Sequence, residues 1–304
     1  MAKLRKKILL AVDGSDQSFE AVRYVSQLFP PNRMQVVLFH VTSKIPESFW
    51  DIEKNPTFRH QLAPVAAWAT QQQTAIQEFM ERSKELLIDQ GVPEESVSIR
   101  MQERQAGIAR DIVREAQENY DAVIVGRWGV SKLKDLVWGS IANKLVAHLI
   151  HIPLCVVGGT PEAGKILVAL DASEEAMGTV DYVATMVYGT DWGITLFHVI
   201  RGLDFVLPEA GEMLQDIEGA VEAFLEQAVG RLEKAGLRPD HISTKTVSGV
   251  ASRAKAIIEE ANNGGYGTIV VGRKGLSRVE EFFMGRVSNK VMQLAKEMAI
   301  WVVS

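Results

Sequence analysis

The chain holds a single cysteine, Cys155, among its 304 residues. One thiol excludes an internal disulfide framework and fits a reducing compartment. Flanked by Ile152-Pro153-Leu154 and Val156-Val157, with no basic neighbour in sequence, it reads as a buried strand thiol and not as a nucleophile. Long apolar runs are missing too: none approaches the roughly 18 residues of a membrane span. The first residues lack an apolar stretch ending at a small-residue cleavage site, so the expectation is a soluble, cytoplasmic protein with no membrane partner. Positive charge is not in excess. Thirty-three Lys and Arg against 38 Asp and Glu leave a net charge of −5, which gives no reason to propose a nucleic-acid partner. The basic run Lys3-Leu4-Arg5-Lys6-Lys7 reads as a solvated edge leading into the first strand. No His, Cys and carboxylate cluster has metal-ligand spacing, and no Gly-x-Ser-x-Gly elbow offers a nucleophilic serine.

What the chain does have is a repeat. Lys7-Ile8-Leu9-Leu10-Ala11-Val12-Asp13-Gly14-Ser15 is echoed by Lys165-Ile166-Leu167-Val168-Ala169-Leu170-Asp171-Ala172-Ser173, and Leu38-Phe39-His40-Val41 returns as Leu196-Phe197-His198-Val199. Later, Val125-Gly126-Arg127-Trp128-Gly129 matches Val271-Gly272-Arg273-Lys274-Gly275, and Asn143-Lys144 matches Asn289-Lys290. The chain is therefore read as a duplication, with domains at 1–159 and 160–304 joined by the breaker-rich stretch 158–164. Apolar residues make up 47% of the sequence, enough for two substantial cores.

Each half alternates strands with amphipathic helices. Strands are expected near 7–12, 35–41, 96–101, 121–125 and 153–157, and again near 165–170, 193–199, 241–247, 267–271 and 299–303. Several are unbroken Val, Ile and Leu runs, as a parallel sheet covered on both faces requires. Helices are expected at 16–28, 64–90, 106–118 and 140–150, then 174–187, 209–235, 250–262 and 286–297. Such β-α units imply right-handed crossovers and a doubly wound sheet. The segment 42–63, with Pro46, Phe49, Trp50, Pro56 and Phe58, fits no regular element and reads as a packed cover in preference to a lid.

In a sheet of this kind ligands bind beyond the C-terminal strand ends, where the winding reverses. Asp13, Val41, the glycine loop from Gly126 and the helix start at Gly139-Ser140 converge there if the strands are placed correctly. A carboxylate at the end of strand one suits ribose hydroxyls or caps the next helix; its return as Asp171 favours the ligand. The loop glycines would let backbone approach phosphate, against an ordinary tight turn as the plainer role. His40 and His198 lie inside apolar strands and read as core or rim histidines with local partners. Gly159 to Lys165 mimics a P-loop, but Ile166 stands where Ser or Thr should meet Mg²⁺ and the lysine opens a strand, so the stretch is a linker.

These residues resemble the universal stress protein family, in a tandem form covering essentially the whole chain. The nucleotide motif of that family, Gly-x2-Gly-x9-Gly-(Ser/Thr), is met by Gly126, Gly129, Gly139 and Ser140. The resemblance implies two Rossmann-like halves (adenine nucleotide alpha hydrolase-like), each a five-stranded parallel sheet of order 3-2-1-4-5. It implies ATP held in the first half by Val12, Asp13, Val41, Val125, Gly126, Trp128, Gly129, Gly139, Ser140, Ile141 and Ala142; Mg or Mn would suit the triphosphate, though no residue identifies the metal. The corresponding second-half positions are Asp171, Val199, Val271, Gly272, Lys274, Gly275, Gly285, Arg286, Val287 and Ser288. There Arg286 replaces the hydroxyl of the motif, and Ser288 is a candidate to supply it. The resemblance further implies an intrachain pseudo-dimer through the last strands of the two halves, and leaves room for a homo-oligomer. The expected role is a nucleotide-binding stress or regulatory module; a slow ATPase or adenylyl-transferring enzyme, and a nucleotide-free scaffold, are the alternatives.

Overall fold

The computed structural model describes residues 5–42, 59–129, 140–162, 164–201, 211–273 and 284–304. In chain order the first half comprises β1 (Lys6–Ala11), α1 (Asp16–Leu28), β2 (Met34–Thr42), α2 (Arg59–Asp89), β3 (Val97–Glu103), α3 (Ile108–Glu115), β4 (Ala122–Gly126), α4 (Ser140–His148) and β5 (Leu154–Val157). The second half repeats the plan with β6 (Lys165–Leu170), α5 (Ala176–Val187), β7 (Gly193–Arg201), α6 (Gly211–Lys234), β8 (Ile242–Val250), α7 (Arg253–Gly264), β9 (Thr268–Gly272), α8 (Arg286–Leu294) and β10 (Ala299–Val303).

The strands form one ten-stranded sheet in the order β3-β2-β1-β4-β5-β10-β9-β6-β7-β8. Within each half every pairing is parallel. The halves meet through β5 and β10, which pair antiparallel with Cys155 opposite Trp301 and Val157 opposite Ala299. Helices cover both faces, which is why the central strands are apolar at successive positions and not at alternate ones. One core gathers α1, α2, α5 and α6 over Leu10, Ile124, Cys155, Trp301 and Val168. The other gathers α3, α4, α7 and α8 over Leu9, Val123, Val156, Ile300 and Ile269. Each core runs through both halves without a break at the seam.

Local chemistry sets the element ends. Ser15 caps α1 by accepting from the Ser18 amide, and the carboxylate of buried Asp111 accepts the amides of Gln105, Ala106 and Gly107 ahead of α3. These three amides are tied off before the helix begins, so α3 starts at Ile108 and not at 106. The second helix starts earlier than Pro64 suggests, at Arg59; Pro64 is its sixth residue and has no N–H to return to the His60 carbonyl. Of the segment 42–63, expected to be irregular, residues 43–58 lie outside the described residues, and 59–63 belong to α2. The stretch 158–164 is more than a spacer. A Cβ on Gly158 would fall 2.0 Å from the Lys296 carbonyl oxygen, and one on Gly267 only 1.8 Å from that of Glu162. Glycine at these points lets the joining segment lie directly on the second half.

Candidate functional site

The crevice of the first half is built at the ends of β1, β2 and β4. Ala11 pairs with both Phe39 and Val125, so Val12-Asp13 leaves the sheet between His40-Val41 and Gly126-Arg127. Gly14 follows with a φ of +85°, a conformation that turns the chain sharply into the Ser15 cap. Asp13 Oδ1 accepts from the Ser15 amide at 3.1 Å and from its hydroxyl at 2.6 Å. The carboxylate therefore does hold the helix cap, as the plainer sequence reading allowed. Its other oxygen, Oδ2, faces the loop: a Cβ on Gly129 would come within 2.3 Å of it.

This changes the reason for the glycines. Among the described loop glycines, Gly126, Gly129, Gly272 and Gly285 all lie outside the positive-φ region, so a tight turn does not select them. Gly126 is packed on the first turn of α1, where a Cβ would meet Gln17 and Ser18 backbone at 3.1–3.2 Å. Gly129 brings the loop down onto Asp13. Close approach within the protein is their structural role. Val12, Val41 and Val125 are buried behind this turn, Ala142 is buried inside α4, and Trp128 and Ile141 are partly covered. Ser140 opens α4 and is exposed. Gly139, Lys274 and Gly275 lie outside the described residues.

The second crevice repeats the first with local differences. Asp171 Oδ1 accepts from Ser173 N and Oγ at 3.2 and 2.6 Å, and Ala172, in place of Gly14, sits at a φ of +59°. That conformation costs a non-glycine residue roughly 1–2 kcal/mol. Val199 and Val271 are buried and Val287 packs on the core. Arg286 is exposed at the start of α8, behind Gly285, which makes no side-chain cap bond. Ser288 donates its hydroxyl proton to the Gly272 carbonyl at 2.7 Å. Its only proton is committed to the sheet end, so it is not a spare donor for an anion.

His40 and His198 have the local partners the sequence suggested. Nδ1 of each meets a carbonyl at the C-terminal end of the neighbouring strand, Val12 just past β1 at 2.8 Å and Leu170 at the end of β6 at 2.9 Å. A carbonyl only accepts, so Nδ1 carries the proton. Burial pushes the pKa of both rings down, against these carbonyl bonds and the nearby Asp13 and Asp171; Arg253 adds to the depression at His198. Each imidazole is tied to backbone through Nδ1 and so latches one strand to its neighbour.

Sequence reasoning gave no role to Arg127 and Arg273, which the structure makes prominent. Both are almost fully buried. Arg127 sends Nη1 to the Met292 carbonyl at 2.7 Å and Nη2 to that of Ala295 at 2.5 Å, at the end of α8. Arg273 does the same to Val146 and Leu149 at the end of α4, both at 2.6 Å, and its Nε donates to Ser304 Oγ at 3.0 Å. Burial pushes the Arg127 guanidinium down to about 10, with Glu297 opposing, which leaves it charged at neutral pH. Cations favour helix C-termini, and these carbonyls would otherwise be orphaned. The signal in the sequence was a charged residue directly after an apolar strand, at the same place in both copies.

No group of three or more His, Cys, Asp and Glu side chains among the described residues is arranged to hold a metal ion, and no described helix is long and apolar enough to cross a membrane. A duplicated, doubly wound α/β chain with glycine loops at its winding reversals defines the class. Residues 4–158 and 162–302 each match the model of the universal stress protein family, and the chain belongs to that family. It is 26% identical to the universal stress protein YxiE of Bacillus subtilis (strain 168) over 144 residues, 43% of this chain and 93% of the relative. A universal stress protein of Archaeoglobus fulgidus DSM 4304 shares the fold over 99% of this chain and 98% of its own, at 17% identity and a TM-score of 0.62. Protein PA1789 of Pseudomonas aeruginosa PAO1, described as functionally unknown, matches 99% of this chain and 93% of its own at 13% identity and a TM-score of 0.59.

Proposed function

We propose that the chain is an adenine-nucleotide-binding regulatory module, with ATP held in the crevice of the first half. The observation that carries this reading is the contact of the β4 loop with the turn after β1: Asp13 Oδ2 stands where Gly129 leaves no room for a side chain. A carboxylate for ribose, a backbone loop and the N-terminus of α4 at Ser140 then border one crevice at a winding reversal. Val12, Val41 and Val125 would line the base side, and Gly126, Trp128, Gly129, Ser140, Ile141 and Ala142 the phosphate side. Any Mg or Mn would arrive with the triphosphate. The second crevice is read as altered, because Ser288 already spends its proton on Gly272 and Arg286 replaces the motif hydroxyl. Residues 1–159 and 160–304 are read as two domains whose β5–β10 pairing makes an intrachain counterpart of a dimer.

Titration calorimetry with ATP tests the reading. We expect one binding event, abolished by Ser140→Asp, which sets a negative charge at the phosphate end, and weakened by Asp13→Ala. Absence of heat at millimolar ATP, with no rise in melting temperature, would remove the nucleotide and favour the scaffold reading.

A further inference from the structure

The two loop arginines have a consequence for the paired sites. Each glycine loop belongs to one crevice, yet its arginine ends in the other half. Arg127, between Gly126 and Gly129, grips Met292 and Ala295. These carbonyls close α8, the helix whose first residue is Arg286, at the second crevice. Arg273, beside Gly272, grips Val146 and Leu149, which close α4, the helix that Ser140 opens at the first crevice. Each helix has nine residues and so spans about 13 Å from one crevice to the arginine of the other. Such a helix moves as a rigid body more readily than it bends.

We infer that the two crevices are mechanically coupled through this reciprocal arginine clasp, each loop setting the position of the helix that opens onto the opposite crevice. The inference rests on the nucleotide reading for what moves the loop, and not for the clasp itself. Arg127 and Arg273 are positioning residues, since they act through the helices.

The two arms are unequal. Arg273 satisfies all three kinds of nitrogen, with Nε on Ser304. Arg127 leaves its buried Nε–H without a partner among the described residues, pressed toward Gly158, whose Cβ position lies 3.0 Å from it. The guanidinium of the loop with the complete glycine motif is thus the less firmly held. Ligand at the first loop, which would touch Gly126 and Gly129 on either side of Arg127, has the easier arm to shift. The arm between the first crevice and α8 therefore carries most of the coupling, which is reciprocal.

Hydrogen–deuterium exchange on the full chain, without ligand and with ATP, tests this. Without ligand, Arg127→Met should speed exchange near 292–298 by at least about tenfold, from the loss of two charge-assisted bonds, while the end of α4 stays unchanged. Arg273→Met should give the mirror image near 146–151. Arg127→Lys, which keeps the charge and loses the two-pronged grip, should give the same pattern more weakly and guards against misfolding of the methionine variant. With ATP, the wild-type protein should show altered exchange near 292–298, and Arg127→Met should lose that response while still binding ATP by calorimetry. Exchange that rises equally in α4 and α8, or an α8 response to ATP undiminished in Arg127→Met, would overturn the clasp. If wild-type protein binds no ATP, the nucleotide reading falls and the ligand-free pattern alone decides the clasp.

Discussion

Gly129 and Asp13 are the residues whose fates are most closely tied. A methyl group on Gly129 would overlap Asp13 Oδ2, and overpacking of this sort costs about 1–3 kcal/mol. Gly129→Ala should lose stability in that range by urea denaturation, and the loss should shrink by more than half in an Asp13→Ala background. A loss that is the same in both backgrounds would mean the loop is held by something other than that carboxylate. The sequence made the glycines visible as a spaced pair, but not their reason. Spacing suggests phosphate or turn; only the packed structure shows that Gly126 answers to Gln17 and Ser18 and that Gly129 answers to Asp13. Asp13 itself was legible as a strand-end acid with two plausible jobs. The cap is now seen through Ser15, while the ribose contact belongs to the proposed function.

At the scale of elements, β2 is latched to β1 by His40 on Val12, and β7 to β6 by His198 on Leu170. Both imidazoles have folded pKa values below that of the unfolded chain, near 6.5, chiefly through burial. Above 6.5 both states are neutral and the latches cost nothing in protons. As pH falls through 6.5 the unfolded chain takes up protons first, so stability is lost progressively below that point. Wild-type protein should thus lose melting temperature between pH 7 and pH 5. The His40→Asn/His198→Asn double variant, whose amide nitrogens stand near the original Nδ1 positions, should lose less over the same interval. Equal slopes would assign the acid sensitivity to other groups. The strands were largely readable from their apolar runs, because burial on both faces leaves a simple pattern. Helix ends were readable only in part: α1 runs over the expected 16–28, whereas α8 stops at Leu294 and not at 297, where its last carbonyls belong to an arginine 165 residues away in sequence. No local pattern encodes a partner at that distance.

Across the whole molecule, the halves share more than a strand pairing. Buried Tyr24, from α1, exchanges a hydrogen bond with Thr268 at 2.9 Å and accepts from Trp301 Nε1 at 2.9 Å. The repeat offers Tyr182 in the corresponding place, its ring tilted at 47° to that of Trp301 with centroids 5.8 Å apart. Tyr24→Phe leaves a buried indole N–H without its acceptor and should cost about 1–3 kcal/mol. Because both cores pass through the seam, denaturant unfolding of the variant should remain a single transition at a lower midpoint. Separation into two transitions would mean that the halves fold independently of the seam.

The direction of that seam fixes one more property. Val157, at the end of β5, lies beside Ala299, at the start of β10, so the strands of the two halves point in opposite directions. The joining residues need only pass the starts of β10 and β9 to enter β6, which is why so short a stretch suffices to fuse the copies. It also turns the two crevices back to back, opening on opposite margins of the sheet. A visitor protein that sits over one mouth leaves the other facing water, and a sensor of both must either embrace the molecule or come as a pair.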